Sequence, residues 1–186
     1  LQALEAPVRF LVTLNNGGFV IASQDAFTAP DHDIDLNFYN SAGVQQSGLT
    51  VNSGLEDDRD ASLAVLDNGN VVAAWVRTAG GESEIRMAVY SQTGALVLAE
   101  TLVDTNGSIN DRVHVTATAA GFAIAYRDNE FAFGDTRAAV RSFDLAGNAI
   151  ASAAFADSIW AVETPQIARL SNDRLVLTWN DELERS

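Results

Sequence analysis

The chain has 186 residues, of which 47% are hydrophobic, so it is long enough for one domain with a sizeable core. Its 25 acidic residues outnumber 11 basic ones, all of them arginine, and the net charge of −14 argues against nucleic acid and anionic membranes as partners. The chain contains neither cysteine nor lysine and no apolar run of the roughly 20 residues that a membrane helix needs, which excludes disulfides, thiol nucleophiles, Schiff-base chemistry and membrane insertion by a helix.

A polar turn signal followed by a short apolar run occurs four times along the chain. The four copies are NNGGFVIAS (15–23), DNGNVVAAW (67–75), AAGFAIAY (119–126) and SNDRLVLTW (171–179), and their turn residues Gly17, Gly69, Gly121 and Asp173 are 52 residues apart. An aromatic residue four positions before a turn glycine recurs in step with them, as Tyr39, Tyr90 and Phe143. Repeats of this length are typical of propellers, solenoids and arrays.

The second copy shows the strand pattern most clearly. Residues 62–66 (SLAVL) alternate weakly, and a turn leads to 71–75 (VVAAW), a continuous apolar run that predicts a strand buried on both faces. Residues 84–91 (EIRMAVYS) alternate between apolar and polar, and 95–103 (ALVLAETLV) follow after a second turn. Four short antiparallel strands in about 50 residues have the size of one propeller blade. The sequence therefore predicts an all-β protein, a β-propeller of four-stranded antiparallel blades, and packing between blades for Trp75, Tyr126 and Trp179.

The segments PQIARLSNDRLVLTW (165–179) and VYSQTGALV (89–97) carry a family resemblance. They resemble the roughly 50-residue repeats of large secreted bacterial proteins, the RTX-type, calcium-associated exoproteins and adhesins. That resemblance implies propeller blades and an extracellular or cell-surface location. It implies architecture more than activity.

The predicted blades cover the chain as a single repeat domain. They comprise residues 7–60, 61–112 and 113–164, a partial blade at 165–186, and 1–6 as a possible closing strand. About 3.5 blades are fewer than the four to eight that close a typical ring. The ring is completed by missing sequence of a longer parent chain, by a second copy of this chain, or by a four-bladed closure through the N-terminal strand. The first two alternatives are favoured, since open blade edges promote aggregation.

The densest acidic stretch contains Asp31, Asp33 and Asp35 at the start of the third predicted strand. Alternating carboxylates share one face of a strand, and D-x-D-x-D resembles the start of a calcium loop. No glycine or glutamate follows at the positions such a loop needs. The equivalent positions are Glu82, Glu84 and Arg86 in the second copy and Gly134, Thr136 and Ala138 in the third, so a repeated metal site is not encoded. A calcium site and a solvated acidic loop are the two interpretations, and calcium is the only cofactor that the sequence suggests.

A second charged pattern precedes two of the first strands, where Asp58-Arg59 matches Asp111-Arg112. Pairs of this kind tie neighbouring blades together by charge-assisted hydrogen bonds, or they form a shared ligand-binding site. The sequence alone leaves both alternatives open.

For function, the sequence favours a non-catalytic scaffold or adhesion module of a secreted or cell-surface bacterial protein. Its expected partners are another copy of itself, the rest of a parent chain, or a glycan or protein ligand. The alternative is a propeller-type glycoside hydrolase or lyase that uses loop carboxylates. A calcium-stabilised structural repeat is a second alternative. The two histidines, His32 and His114, accompany no G-x-S-x-G nucleophile motif.

Overall fold

A computed structural model describes residues 8–28, 31–51, 54–104, 110–129, 136–155 and 161–182. Every regular element within these ranges is a β-strand. Over the same residues there is no helix of the length and apolarity needed to cross a bilayer.

The strands form three four-stranded antiparallel sheets and one two-stranded sheet, each built from strands that are consecutive in the chain. The first sheet contains β1 (Val8–Thr13), β2 (Phe19–Thr28), β3 (Asp31–Tyr39) and β4 (Gln45–Thr50); the second contains β5 (Asp57–Val65), β6 (Val71–Ala79), β7 (Glu82–Tyr90) and β8 (Leu96–Asp104); the third contains β9 (Asp111–Ala117), β10 (Gly121–Asp128), β11 (Arg137–Asp144) and β12 (Ala149–Phe155); the fourth contains β13 (Ala161–Arg169) and β14 (Leu175–Glu182).

The turn between the first and second strands of each sheet follows from its sequence. In the first, second and fourth sheets the turn carries one residue with positive φ, which is Gly17 (83°), Gly69 (85°) or Asp173 (62°). Glycine adopts this conformation without a Cβ clash, and aspartate is among the few other residues that tolerate it. In the third sheet Thr118 and Gly121 exchange both backbone hydrogen bonds across a tighter turn. This explains why the third copy of the sequence phrase is one residue shorter.

The core lies between the sheets. One cluster joins the first and second sheets around the fully buried Trp75, and another joins the second and third around Phe122 and Tyr126. A small third cluster joins the third and fourth sheets, where Phe155 and Trp179 stack with ring centroids 6.2 Å apart. The aromatic residues that end the last three apolar runs, Trp75, Tyr126 and Trp179, therefore face the preceding sheet, as predicted for packing between blades.

These features confirm the predicted fold, an all-β propeller of four-stranded antiparallel blades. The first strands β1, β5, β9 and β13 are the inner strands and contact one another in that order. The ring is not closed within this chain. The predicted divisions at 61, 113 and 165 fall inside β5, β9 and β13, which begin earlier, at Asp57, Asp111 and Ala161. Residues 1–6, predicted as a closing strand, lie outside the described residues.

Candidate functional site

The two ends of the propeller axis differ in chemistry. Because consecutive strands are antiparallel, the first and third strands of each sheet begin at the same end of the axis. The second and fourth strands end there, and we call this end the loop face. The other end carries the turns from the first to the second strand and from the third to the fourth strand of each sheet, and we call it the turn face. Acidic residues crowd the strand ends at the loop face. Those described there include Asp57, Asp58, Asp60, Glu82, Glu84, Asp104, Asp111, Asp128 and Glu163.

Three inner strands contain the same β-bulge near the loop face. At each bulge one residue that is not glycine has a positive φ: Asp60 (53°), Arg112 (58°) and Thr164 (43°). These residues are 52 positions apart. Sequence reasoning missed this set because its three members share no chemistry, although the repeat spacing connects them. Residues other than glycine with a positive φ are strained, and such strain clusters at functional sites, which makes these positions candidates.

The bulges surround a cavity of about 180 Å³ at the loop-face end of the inner strands, which we call the axial pocket. It is lined by Asp60, Ala61, Arg112, Val113, Thr164 and Gln166, so the second, third and fourth blades each contribute two residues. One cationic, one anionic and two neutral polar side chains therefore converge on one small opening. The pocket combines a carboxylate with hydrogen-bonding groups, as sites for polar small molecules do.

Glu163 lies beside the axial pocket and connects two blades. Its carboxylate forms ion pairs with Arg127 of the third blade and, at 4.0 Å, with Arg112. Arg127 also donates from Nε to Asp111 at 2.6 Å. Of the predicted ligand-binding residues, Arg112 therefore lines the pocket, while Asp111 is held in a charge network behind it.

The other predicted pair, Asp58 and Arg59, is split. Asp58 is fully buried, and Arg77 donates to its two oxygens from Nε at 2.9 Å and from Nη2 at 3.0 Å. Burial raises the pKa of Asp58 despite the opposing effect of Arg77. Arg59 is exposed and pairs with Asp57 at 2.6 Å. Asp57 also bonds His32 Nδ1 of the first blade at 2.7 Å, a contact that sequence reasoning missed.

The bulges also correct the alignment of the two predicted pairs. Because Arg112 occupies the position of Asp60, the equivalent of Asp111 is Arg59. The match of Asp58-Arg59 with Asp111-Arg112 is therefore displaced by one residue, and in strands that displacement reverses the direction of each side chain. Ligand binding by these four residues stays a prediction.

The predicted calcium residues lie at the start of β3. Asp35 accepts a hydrogen bond of 2.7 Å from the Thr50 hydroxyl, and Asp33 is two residues before it on the same strand. The side chain of Asp31 lies outside the described residues. Among the residues that are described, no three histidine or acidic side chains are grouped closely enough to hold a metal ion. Calcium binding at this stretch stays a prediction.

Comparisons with solved structures support the fold assignment. A family-43 (GH43) endo-arabinanase from Bacillus licheniformis matches with a TM-score of 0.55 and 13% identity over 94% of this chain and 68% of its own. An endo-1,4-beta-xylanase from Bacteroides thetaiotaomicron matches with a TM-score of 0.55 and 9% identity, over 95% and 65%. A thermostable family-43 glycoside hydrolase has a TM-score of 0.55 and 14% identity, over 92% and 64%. No family model and no curated protein matches the chain.

This chain thus spans about two thirds of the length of propellers that have five blades. The comparisons contradict the first functional prediction, a non-catalytic scaffold or adhesion module. The three solved structures named above, which share this fold, are glycoside hydrolases. The prediction was wrong because the repeated residues are those that build blades, whereas the pocket residues differ from copy to copy.

Proposed function

We propose that this chain forms the greater part of a propeller-type glycoside hydrolase, with the axial pocket as its reaction site. The observation that carries the proposal is the convergence of three bulges on a pocket with a carboxylate at its wall and a second carboxylate beside it. The fold shared with an endo-arabinanase and an endo-1,4-beta-xylanase points to polysaccharides of the arabinan or xylan class. Such polymers do not cross membranes, so an extracellular location is part of the proposal.

Glycoside hydrolysis requires two carboxyl groups that flank the scissile bond. One protonates the leaving oxygen, and the other activates water or attacks the sugar carbon. Glu163, paired with Arg127 and Arg112, is assigned the second role, which requires a carboxylate. Asp60, at the pocket wall on the second blade, is assigned the first.

Neutral polar groups complete the site. Thr164 and Gln166 are exposed at the pocket wall, and Arg112 is about half exposed, with 48% of its side chain accessible. Hydroxyl, amide and guanidinium groups bond sugar hydroxyls, whose donors and acceptors they match. Because Arg112 lies next to Glu163, it also orients the carboxylate toward a bound sugar.

The test is the release of reducing ends from arabinan and from β-1,4-xylan by the full chain. Replacement of an acid or base by its amide is expected to lower the rate by about 10²–10⁴-fold. We therefore expect losses of this size for Asp60→Asn and for Glu163→Gln, with folding unchanged by circular dichroism.

Matched controls separate the pocket from general charge effects. Glu84 is on the same face, is ion-paired with Arg86 and is 24% exposed against 21% for Glu163, so Glu84→Gln serves as the control for Glu163→Gln. Asp67 follows the other end of β5 on the turn face, so Asp67→Asn serves as the control for Asp60→Asn. Full activity of both pocket variants would contradict the proposal. So would a wild-type chain that neither cleaves these polymers nor binds their oligosaccharides in calorimetry.

A further inference from the structure

A second polar cavity, of about 240 Å³, lies at the loop face on the outer strands of the third blade, and we call it the outer pocket. Its polar side chains come from the end of β8 and from β10, β11 and β12; they are Asp104, Tyr126, Asp128, Arg137, Arg141 and Ser152. Within the described residues it shares no lining residue with the axial pocket, to which the third blade contributes through β9.

A buried hydrogen-bond network lines the outer pocket. The Tyr126 hydroxyl donates to Asp104 Oδ2, and Arg141 donates from Nη2 to Asp104 Oδ1 at 2.9 Å. Asp104 and Tyr126 are only 4% and 1% exposed. Burial and the hydrogen bond to Asp104 raise the pKa of Tyr126 above its ordinary value of 10, so the hydroxyl stays protonated and continues to donate. The network therefore orients the Arg141 guanidinium at the pocket.

The same place at the junction of the first and second blades is apolar. There Trp75 takes the position of Tyr126, and it is fully buried in the apolar cluster between those blades. Ala88 takes the position of Arg141, since each lies two residues before the recurrent aromatic residue of its third strand, and Ala88 is 1% exposed. Neighbouring blades thus pack well without a tyrosine or an arginine at these positions.

Asp104 also stands where the other junction has an apolar residue. Its counterpart is Val51: the Val51 amide donates to the Ile34 carbonyl, and Asp104 lies opposite Ile85, the residue equivalent to Ile34. Val51 packs against the apolar cluster between the first two blades. Three positions therefore differ together, apolar at one junction and polar at the next. Because buried polar and charged groups cost free energy that apolar packing does not, the exchange indicates a role beyond the joining of blades.

Small side chains leave room for a ligand in the outer pocket. Ala139 lies opposite Ala154 across β11 and β12, and Ser152 lies opposite Arg141. Ser152 and Ala154 are exposed, and 36% of the Arg141 side chain is accessible. A guanidinium has five N–H groups, and the bond to Asp104 uses one of them. Arg141 can therefore donate to a ligand while it holds Asp104.

The charges of the outer pocket are balanced. Arg137 is ion-paired with Asp128 at 3.5 Å, as Arg141 is with Asp104, so two guanidinium groups stand beside two carboxylates. A balanced set favours neither cations nor anions, and the net charge of −14 disfavours an anionic ligand further. The set does present donors and acceptors side by side, together with the Ser152 hydroxyl. Such a lining matches the hydroxyl groups of a neutral sugar.

The axial pocket and the outer pocket lie along the loop-face end of one blade. Adjacent strands are about 4.8 Å apart, so about 10–15 Å separate β9 at the axial pocket from β11 and β12 at the outer pocket. We propose that the outer pocket binds a neutral sugar residue of the same polysaccharide that the axial pocket takes, so that the polymer lies along the third blade. The polysaccharide as ligand rests on the hydrolase proposal, whereas the preference for a neutral sugar rests on the residues of the outer pocket.

The test measures depletion of the full chain from solution by immobilised β-1,4-xylan and arabinan, with Glu163→Gln as the parent so that the polymers stay intact. Ser152→Leu fills the outer pocket from an exposed position, and Arg141→Lys keeps a cation beside Asp104 but removes the planar guanidinium. Each is expected to weaken binding at least about tenfold, with folding unchanged by circular dichroism. Ala99→Leu, at an exposed position of the outer strand β8, is the matched control and is expected to bind like the parent.

The outcomes separate this inference from the hydrolase proposal. If the wild-type chain cleaves a polymer that Ser152→Leu and Arg141→Lys bind as tightly as the parent, the outer pocket is not a sugar site, and the hydrolase proposal stands. If both variants lose binding to a polymer that the wild type does not cleave, the outer pocket stands as a sugar site and the hydrolase proposal fails. Tighter binding to immobilised polygalacturonate, an anionic polymer, would overturn the choice of a neutral sugar. A chain that binds none of the three polymers would overturn the inference altogether.

Discussion

The rings of Phe10 and His114 meet edge to face near the propeller axis, with centroids 6.0 Å apart and planes at 67°. The two residues belong to the inner strands of the first and third blades, which are not neighbours in the ring. At the turn face, Arg169 of the fourth blade likewise pairs with Asp67 after the first strand of the second blade, at 2.9 Å. Next-but-one blades therefore touch at both ends of the axis. An axis this narrow favours closure with few blades over a wide ring of two paired copies.

The first prediction concerns acidic pH and His114. Burial lowers the pKa of His114 below its ordinary value of 6.5, and its Nδ1 accepts a long hydrogen bond of 3.5 Å from the Ile167 amide. The unfolded chain then binds a proton at His114 more readily than the folded chain does. The contribution of His114 to the free energy of unfolding is therefore fully present above pH 6.5, and it is lost as the pH falls toward the folded-state pKa. Urea titrations between pH 7.5 and about 5 are expected to show this decline. His114→Gln is expected to reduce the dependence of the free energy of unfolding on pH. If that dependence is unchanged in the variant, groups other than His114 cause the decline.

The second prediction concerns the buried pair of Asp58 and Arg77. Removal of one partner from a buried ion pair costs about 3–5 kcal/mol, since the other charge is left without compensation. Arg77→Met is expected to lower the free energy of unfolding by about that amount. Asp58→Asn in the same chain is expected to recover part of the loss, because a neutral amide is less costly to bury. Denaturant unfolding of the four chains of this cycle measures the coupling, and simple additivity would contradict it.

The third prediction compares two tryptophans that are equivalent in the repeat. Trp75 is fully buried between the first and second blades, whereas Trp179 is only half-buried on the incomplete blade. Trp75→Ala is expected to cost about 3–5 kcal/mol of folding free energy, as large-to-small changes in a core do. Trp179→Ala is expected to cost about 1 kcal/mol, in proportion to its smaller buried area. If both variants lose similar amounts of folding free energy, Trp179 is as well buried in solution as Trp75.

The fourth prediction concerns metal ions. The described residues contain no group of three histidine or acidic side chains that could hold one. Asp35 accepts a hydrogen bond from the Thr50 hydroxyl, as in a solvated acidic stretch. We expect excess EDTA to leave the melting temperature within about 1 °C of its value in calcium, since only a site that binds the folded state shifts stability by mass action. A larger fall would support calcium binding by Asp31, Asp33 and Asp35. Asp33→Asn, tested beside the wild type, would then assign the effect to that strand.

The sequence by itself determined the blades. The spacing of 52 residues, the polar turns and the apolar runs are local signals, and a turn followed by a strand forms from neighbouring residues in any propeller of this kind. Trp75 and Tyr126 were therefore predicted correctly as packing between blades. The one-residue shift at Asp60 and Arg112 was not predicted, since a bulge adds a residue without leaving a mark in the hydrophobic pattern.

Only the tertiary structure decided which polar residues meet. Asp60, Arg112 and Thr164 differ in chemistry, so no motif connects them, yet the ring brings their equivalent backbone positions to one pocket. The contact between Phe10 and His114 joins residues 104 positions apart for the same reason. Local sequence specifies each blade, whereas the site arises from the placement of several blades around a common axis, and no single segment contains that information.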